Sequence, residues 1–378
     1  MKLGIEFEYL LHDGDGRIRD FTNLDFPDLE DFLAHKPGRD DPSLATGDLG
    51  IKAGYWYLEG DERFDGAGNF SRLAVKGVEI RTPPRSSVAA ASACLLDIQA
   101  ELAARLAQRD LHLSLVGFNP VTPRYEFSPP LNAWERACRD AHPEYGAAGV
   151  STLSYGPDIN VSFPDWDGGR CLAATRRLTF YSPFMVPFSF SSPFYAGKPW
   201  EGLSKRTFER TWRRPSAKCF GSAADRRLSP LMGAARLPSE EGRIEFKAYD
   251  AFTDLTLLEA CCHLVAGVCL AEDLVGQADT PDKALHQLAA TRGFAESRIA
   301  HGAALVLARA GRALVRHGLA DAHALDPLAE YLAQGRTPAH DLLVAYAHTG
   351  RMYVDGGLAA PLPRPQAAKE LTAQPCPF

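Results

Sequence analysis

Little in this chain marks a secreted, membrane-embedded or nucleic-acid-binding protein. Eight cysteines among 378 residues are too thinly spread for a disulfide scaffold and show no paired C-x-x-C spacing for zinc. No apolar run approaches a membrane span, and the opening MKLGIEFEYLL is too short and too acidic to read as a secretory leader. These absences predict a soluble cytoplasmic protein. A net charge of −6 and a pI near 6.0 argue against a nucleic-acid footprint, which needs a basic excess. There is no H-E-x-x-H helix and no G-x-S-x-G elbow, so zinc peptidase and serine hydrolase chemistry are not expected. No internal repeat and no clean linker divide the chain. What it does have is ample apolar content, 46%, enough to bury a large core.

The most informative stretch is Gly4 to Leu11, GIEFEYLL. A period of two puts Glu6 and Glu8 on one face of a strand and Ile5, Phe7 and Tyr9 on the other. Three later stretches repeat the pattern of an acid with a polar or charged residue two positions away in an apolar strand. In AVKGVEIRTP, Glu79 shares a face with Arg81 and the strand stops at Pro83-Pro84. In SYGPDINVSF, Asp158 is followed by Asn160 and Ser162, and in GRIEFKAYDA, Arg243, Glu245 and Lys247 face one way.

Taken singly, each of these strands reads as the wet face of an antiparallel sheet carrying ion pairs. Taken together, four strands bring five carboxylates to one face if they are neighbours. Glu6 beside Glu8 is not explained by salt bridging. Carboxylates so placed repel and would take up protons unless divalent cations neutralise them. Oxygen-only donors suit Mg²⁺ or Mn²⁺, and Mg²⁺ keeps phosphate oxygens in its shell. The expected chemistry is phosphate handling from a nucleotide.

A basic set, Lys198, Lys205, Arg206, Arg210, Arg213 and Arg214, reads either as an anion site or as a solvated helix face. A helix from about Ser204 would offer its N-terminus to the same anion. Ser86 or Ser87 caps a predicted helix to about Arg109, and Glu59 to Asn69 reads as an acidic, Gly-rich turn. Charged strands fill the first two thirds and helices follow Asp254. The expected fold is therefore α+β, an antiparallel sheet lining a metal-nucleotide cavity and covered by helices. The expected organisation is one catalytic domain over 1–378: sheet-rich 1–253, mainly helical 254–360, and an extended Pro-rich tail 361–378.

GIEFEYLL, KGVEIRTPP, GFNPVTPRYE, DINVSF, FSSPFYAGKPWEGLSKRTFERTWRRP and GRIEFKAYD resemble, in order and at similar intervals, segments of the glutamate-cysteine ligase and carboxylate-amine ligase family. Its fold is similar to the catalytic domain of glutamine synthetase. The resemblance runs from Met1 to Leu274. It implies an ATP-dependent ligase: metal ions bind the nucleotide phosphates, a substrate carboxylate takes the γ-phosphoryl group, and an amine displaces the acyl phosphate. It also implies that Glu6, Glu8, Glu79 and Glu245 are metal ligands, with Asp158 standing where a histidine ligand is common. Lys247 stands at a position usually held by arginine, expected to steady the moving phosphoryl group, and Arg206 matches a basic position near the substrate.

Lys205, Arg243 and Asn160 are the expected nucleotide contacts, and the loop from Ser189 to Glu201 is the expected cover of the pocket. Glutamate with cysteine is the leading substrate pair. A phosphotransferase of the same fold and a catalytically silent nucleotide-binding homologue are the alternatives. The expected partners are small amino acids and amines, with neither nucleic acid nor membrane; a homo-oligomer is left open.

Overall fold

The computed structural model describes residues 1–38, 40–42, 44, 52–141, 147–222 and 229–359. The Pro-rich tail expected at 361–378 lies outside the described residues. The strands are β1 (Lys2–His12), β2 (Ile18–Arg19), β3 (Trp56–Phe64), β4 (Phe70–Arg81), β5 (His112–Leu115), β6 (Pro157–Ser162), β7 (Phe194–Tyr195), β8 (Lys198–Pro199), β9 (Ala217–Gly221), β10 (Met232–Ala234), β11 (Ile244–Phe246) and β12 (Val354–Asp355). The helices are α1 (Phe26–Phe32), α2 (Val88–Leu106), α3 (Ala133–Ala141), α4 (Ala148–Ser151), α5 (Gly168–Met185), α6 (Leu255–Leu270), α7 (Lys283–Arg292), α8 (Ser297–Arg316), α9 (Asp326–Ala333) and α10 (Pro338–Thr349). Among the described residues no helix is long and apolar enough to cross a membrane.

The main sheet runs β10-β9-β11-β6-β1-β4-β3, with β1 near its middle. Alternation dictates which way β1 faces: Ile5, Phe7 and Tyr9 are fully buried, while Glu6 and Glu8 point to the opposite side and are partly exposed. The apolar face is closed by α2, α5 and α6. α2 starts where the serine-cap reading placed it, with the Ser87 hydroxyl accepting from Ala90 N–H. The Tyr9 hydroxyl donates to Gln99 Oε1 of α2 at 2.8 Å, which satisfies a phenol otherwise sealed in the core.

Two expectations about the sheet change. Along β4-β1-β6-β11 each neighbouring pair is antiparallel as expected, but β9 and β10 pair in parallel at the edge, so the sheet is mixed. Both of these strands are short and carry no charge alternation, so nothing in their residues signals direction. The stretch from Glu59, read as a turn, continues β3 as far as Phe64 before the Asp65–Asn69 turn.

The β3–β4 pairing contains a bulge that shapes the cavity. Glu59 faces Gly77 and Gly60 faces Val75, which leaves Lys76 as the extra residue. A bulge re-aims the side chain it carries, and Lys76 accordingly reaches the acid-bearing face. The flanking glycines are obligatory: a Cβ on Gly77 would lie 2.0 Å from the Tyr9 carbonyl oxygen, and one on Gly60 2.0 Å from that of Ala74.

Asp250, fully buried beyond the end of β11, organises the wall next to the sheet. Its carboxylate accepts from Ser191 N–H at 3.1 Å, from the Ser192 hydroxyl at 2.6 Å and from the Ser204 hydroxyl at 2.9 Å. Burial pushes its pKa up, opposed by the Arg206 charge and these donors. The segment expected to close over the pocket is thus pinned at its serines, and residues 189–201 do not line the cavity. Asp250→Ala leaves the Ser204 hydroxyl and the Ser191 amide without an acceptor, and the Ser192 hydroxyl with only its longer bond to Ser204 at 3.3 Å. The expected outcome is a loss of about 3 kcal/mol or more in a urea unfolding titration, since each orphaned buried group costs about 1–3 kcal/mol.

Candidate active site

A cavity of about 840 Å³ opens over the polar face of the sheet. Strand register assembles its floor: Glu6 of β1 lies opposite Asp158 of β6 and Arg81 of β4, Glu8 lies opposite Glu79, and Glu245 of β11 lies opposite Asn160. Two trios result, Glu6 with Asp158 and Glu245, and Glu8 with Glu59 and Glu79. Within each, one oxygen per residue lies within 4.8 Å of the others. All five carboxylates singled out from the sequence are brought together. Glu59 is the sixth, missed because its strand was taken for a turn.

The two trios are neutralised differently. In the first, Lys247 Nζ lies 2.8 Å from Asp158 Oδ2 and 2.9 Å from Glu245 Oε2, and Arg243 Nη1 is 3.4 Å from the other Glu245 oxygen and 4.0 Å from Glu6. Asn160 links them, donating to Glu6 Oε1 at 3.2 Å and accepting from Arg243 at 2.6 Å. Burial pushes the Glu245 carboxyl up, but Lys247 and Arg243 outweigh it and hold its pKa at about 2. Glu6 is shifted upward, by burial first and then by the charges of Glu245 and Asp158.

In the second trio, Lys76 Nζ binds Glu8 Oε1 at 2.6 Å, Gly156 N–H donates to Glu8 Oε2 at 3.0 Å, and Lys52 Nζ binds Glu59 Oε2 at 2.6 Å. Glu79 has no ion-pair partner among the described residues. Burial, followed by the charges of Glu59, Glu6 and Glu8, raises its pKa well above the usual carboxyl range. Arg81, its strand neighbour, turns away to the carbonyls of Gly54 and Lys52. Six oxygen donors, one of them buried and uncompensated, fit hard divalent cations in both number and type.

One wall is cationic. Arg206, Arg210 and Arg214 line the cavity, the first two buried. Arg206 donates to the carbonyls of Ala248 and Lys247, Arg210 to that of Lys247, and Arg214 to the Ser151 hydroxyl. None of the three has a carboxylate at ion-pair distance among the described residues, and the Nε atoms of Arg206 and Arg210 are buried without a partner. Burial lowers the pKa of Arg210 well below the ordinary arginine value, reinforced by Arg206 and Arg214. Buried guanidinium groups of this kind call for an anion.

Lys205 departs from expectation. It lies outside the cavity lining, paired with Glu209 at 2.9 Å and set over the rings of Tyr195, Trp200 and Phe208. Side chains one residue apart on a helical turn diverge, so Arg206 and Lys205 cannot both face the cavity. The expected helix N-terminus at Ser204 gives no anion site either, because its hydroxyl caps Thr207 N–H and donates to Asp250.

The family model described as glutamate-cysteine ligase family 2 matches residues 30–221. That span contains Glu59, Glu79, Asp158, Asn160 and Arg206 but not β1 or β11. No match was found among curated proteins. Of solved structures, a bifunctional glutathione synthetase from Pasteurella multocida is similar at 14% identity and a TM-score of 0.57, over 93% of this chain and 51% of that one. The complex between the prokaryotic ubiquitin-like protein Pup and its ligase PafA gives 11% identity and 0.45, over 93% and 67%. A novel glutamine synthase homolog gives 14% and 0.36, over 88% and 70%. The first of these shows a shared fold, and this chain spans about half the length of that synthetase.

Glu79→Gln tests the electrostatics directly. A carboxyl whose pKa is raised on folding keeps a proton that the unfolded chain has released, so its contribution to stability falls as pH rises above the unfolded value near 4.5. The variant should therefore melt higher than the parent at neutral pH in the absence of divalent ions. The gain should shrink towards zero as the pH approaches 4.5, followed by circular dichroism.

Proposed function

The chain belongs to glutamate-cysteine ligase family 2, and from that membership and the acid-floored cavity we propose that it is an ATP-dependent ligase joining a substrate carboxylate to an amine. The observation that carries this reading is the pair of acid trios on one sheet face beneath a single cavity. The reading takes the chain as one catalytic unit with a fold of the glutamine synthetase type.

Glu8, Glu59 and Glu79 on one side, and Glu6, Asp158 and Glu245 on the other, would hold Mg²⁺ or Mn²⁺. When bound, such ions spread the charge that builds on a phosphoryl group in transit. Asn160 and Arg243, joined by a 2.6 Å hydrogen bond on the floor, would contact the nucleotide phosphates. Lys247 carries an ammonium that burial opposes but Asp158 and Glu245 retain, its pKa held above the ordinary lysine value. It would steady the transferred phosphoryl oxygens as a point charge, without the fork of an arginine.

The reaction then has two balanced steps. The substrate carboxylate oxygen bonds to the γ-phosphorus as the bond to the bridging oxygen breaks and ADP leaves. The amine nitrogen next bonds to the acyl carbon as phosphate departs, and the nitrogen gives up a proton. Arg206, Arg210 and Arg214 would receive an anionic group of the acid substrate, with bidentate geometry available to a carboxylate. An amino acid with a second carboxylate, glutamate foremost, suits that wall; cysteine is the first amine to try.

Phosphate release from ATP should depend on both an amino-acid carboxylate and an amine, with the joined product identified by mass. A stable phosphorylated acid formed without any amine would favour a phosphotransferase instead. Glu245→Ala should lower the rate on the order of a hundredfold, as when a preorganised charge-stabilising group is removed, with circular dichroism unchanged. Arg210→Ala should raise the KM for the acid by roughly tenfold, the loss of one charged hydrogen bond, and leave the KM for ATP in place.

A further inference from the structure

The two trios offer six carboxylates but not two equal cation sites. The first already holds a cation of its own. Lys247 Nζ sits within hydrogen-bond distance of Asp158 Oδ2 and Glu245 Oε2, at 2.8 and 2.9 Å, while Arg243 occupies the remaining oxygen of Glu245. Both oxygens of Glu245 are therefore engaged by cationic groups. A divalent ion binding the same oxygens would need contacts of about 2.1 Å, which puts it against the ammonium and adds charge repulsion in a partly desolvated pocket. In the second trio no cation among the described residues bridges two acids. Lys76 and Lys52 each hold one carboxylate, and Glu79 is left without an ion-pair partner among the described residues.

We propose that Lys247 is the resident counter-cation of the Glu6, Asp158 and Glu245 trio, so that in the absence of nucleotide the cavity holds one divalent ion, at Glu8, Glu59 and Glu79. Lys247 is the only lysine among the described residues whose ammonium bridges two of these acids. Its three N–H donors allow it to leave them for phosphoryl oxygens, and the first trio is open to a cation only as it does so. This inference rests on the metal-dependent reading above and goes beyond it by ranking the two sites and assigning the difference to one residue.

The test is a titration of the full-length protein with Mn²⁺ alone, free ion being read by electron paramagnetic resonance without nucleotide. One tight ion per chain is expected for the parent, and two for Lys247→Met if it keeps the parental circular dichroism. Independently of that variant, Glu79→Gln should abolish the tight site and Glu245→Gln should leave it. Two tight ions in the parent, a folded Lys247→Met still binding one, or loss of the site through Glu245→Gln rather than Glu79→Gln would each overturn the ranking while leaving metal dependence intact. A parent that binds no Mn²⁺ under any condition, nucleotide included, would overturn the metal reading and this proposal with it.

Discussion

Like-charge repulsion across one sheet face is the constraint on which the rest of this structure depends. Six carboxylates reach that face from β1, β3, β4, β6 and β11, and an uncompensated gathering of that size in a half-buried cavity is unfavourable. Much of the surrounding architecture is a set of devices that contain it. Arg243 and Lys247 immediately flank β11, the strand that carries Glu245. Lys76 is supplied by a bulge and Lys52 by the segment leading into β3. Each cation is delivered by an element that also contributes an acid or adjoins one, so charge balance and strand pairing are established together.

The arginine wall extends the same logic with the opposite sign. Arg206, Arg210 and Arg214 sit close to the acids yet are not paired with them, being tied instead to main-chain carbonyls and a serine hydroxyl. Had they collapsed onto the acids, both sets would be spent. Carbonyl acceptors satisfy the hydrogen-bonding of a guanidinium without cancelling its charge, and this keeps the floor anionic and the wall cationic within one cavity. Such a separation suits substrates that bring a phosphate–cation assembly to one side and a carboxylate to the other.

The strands were legible because period-two alternation in GIEFEYLL, VEIR, DIN and RIEFK makes inside and outside unambiguous, and the predicted neighbours pair in the predicted sense. Helix α2 was legible from its serine cap and apolar stripe, and α6 and α8 from the amphipathic runs that follow Asp254. Glu59 was not, because Gly60 and Asp61 follow it and the usual signs of a turn mask a strand that continues through a bulge. Lys76 was hidden for a related reason: strict alternation puts it on the Val78 face, and only the extra residue in β4 rotates it to the acids. Lys205 and Arg206 could not be separated by spacing, since which of two adjacent helical residues faces a cavity depends on how the turn docks. The direction of β10 left no trace in its three residues.

Arg206 feels the charge of Asp250 as well as those of Glu8 and Asp158, and the same guanidinium also clamps the main chain at Lys247 and Ala248. The serine cage around Asp250 and the main chain at Lys247 therefore share Arg206 as a common neighbour. None of Ser191, Ser192 and Ser204 lines the cavity, yet a change among them alters the surroundings of a guanidinium that does.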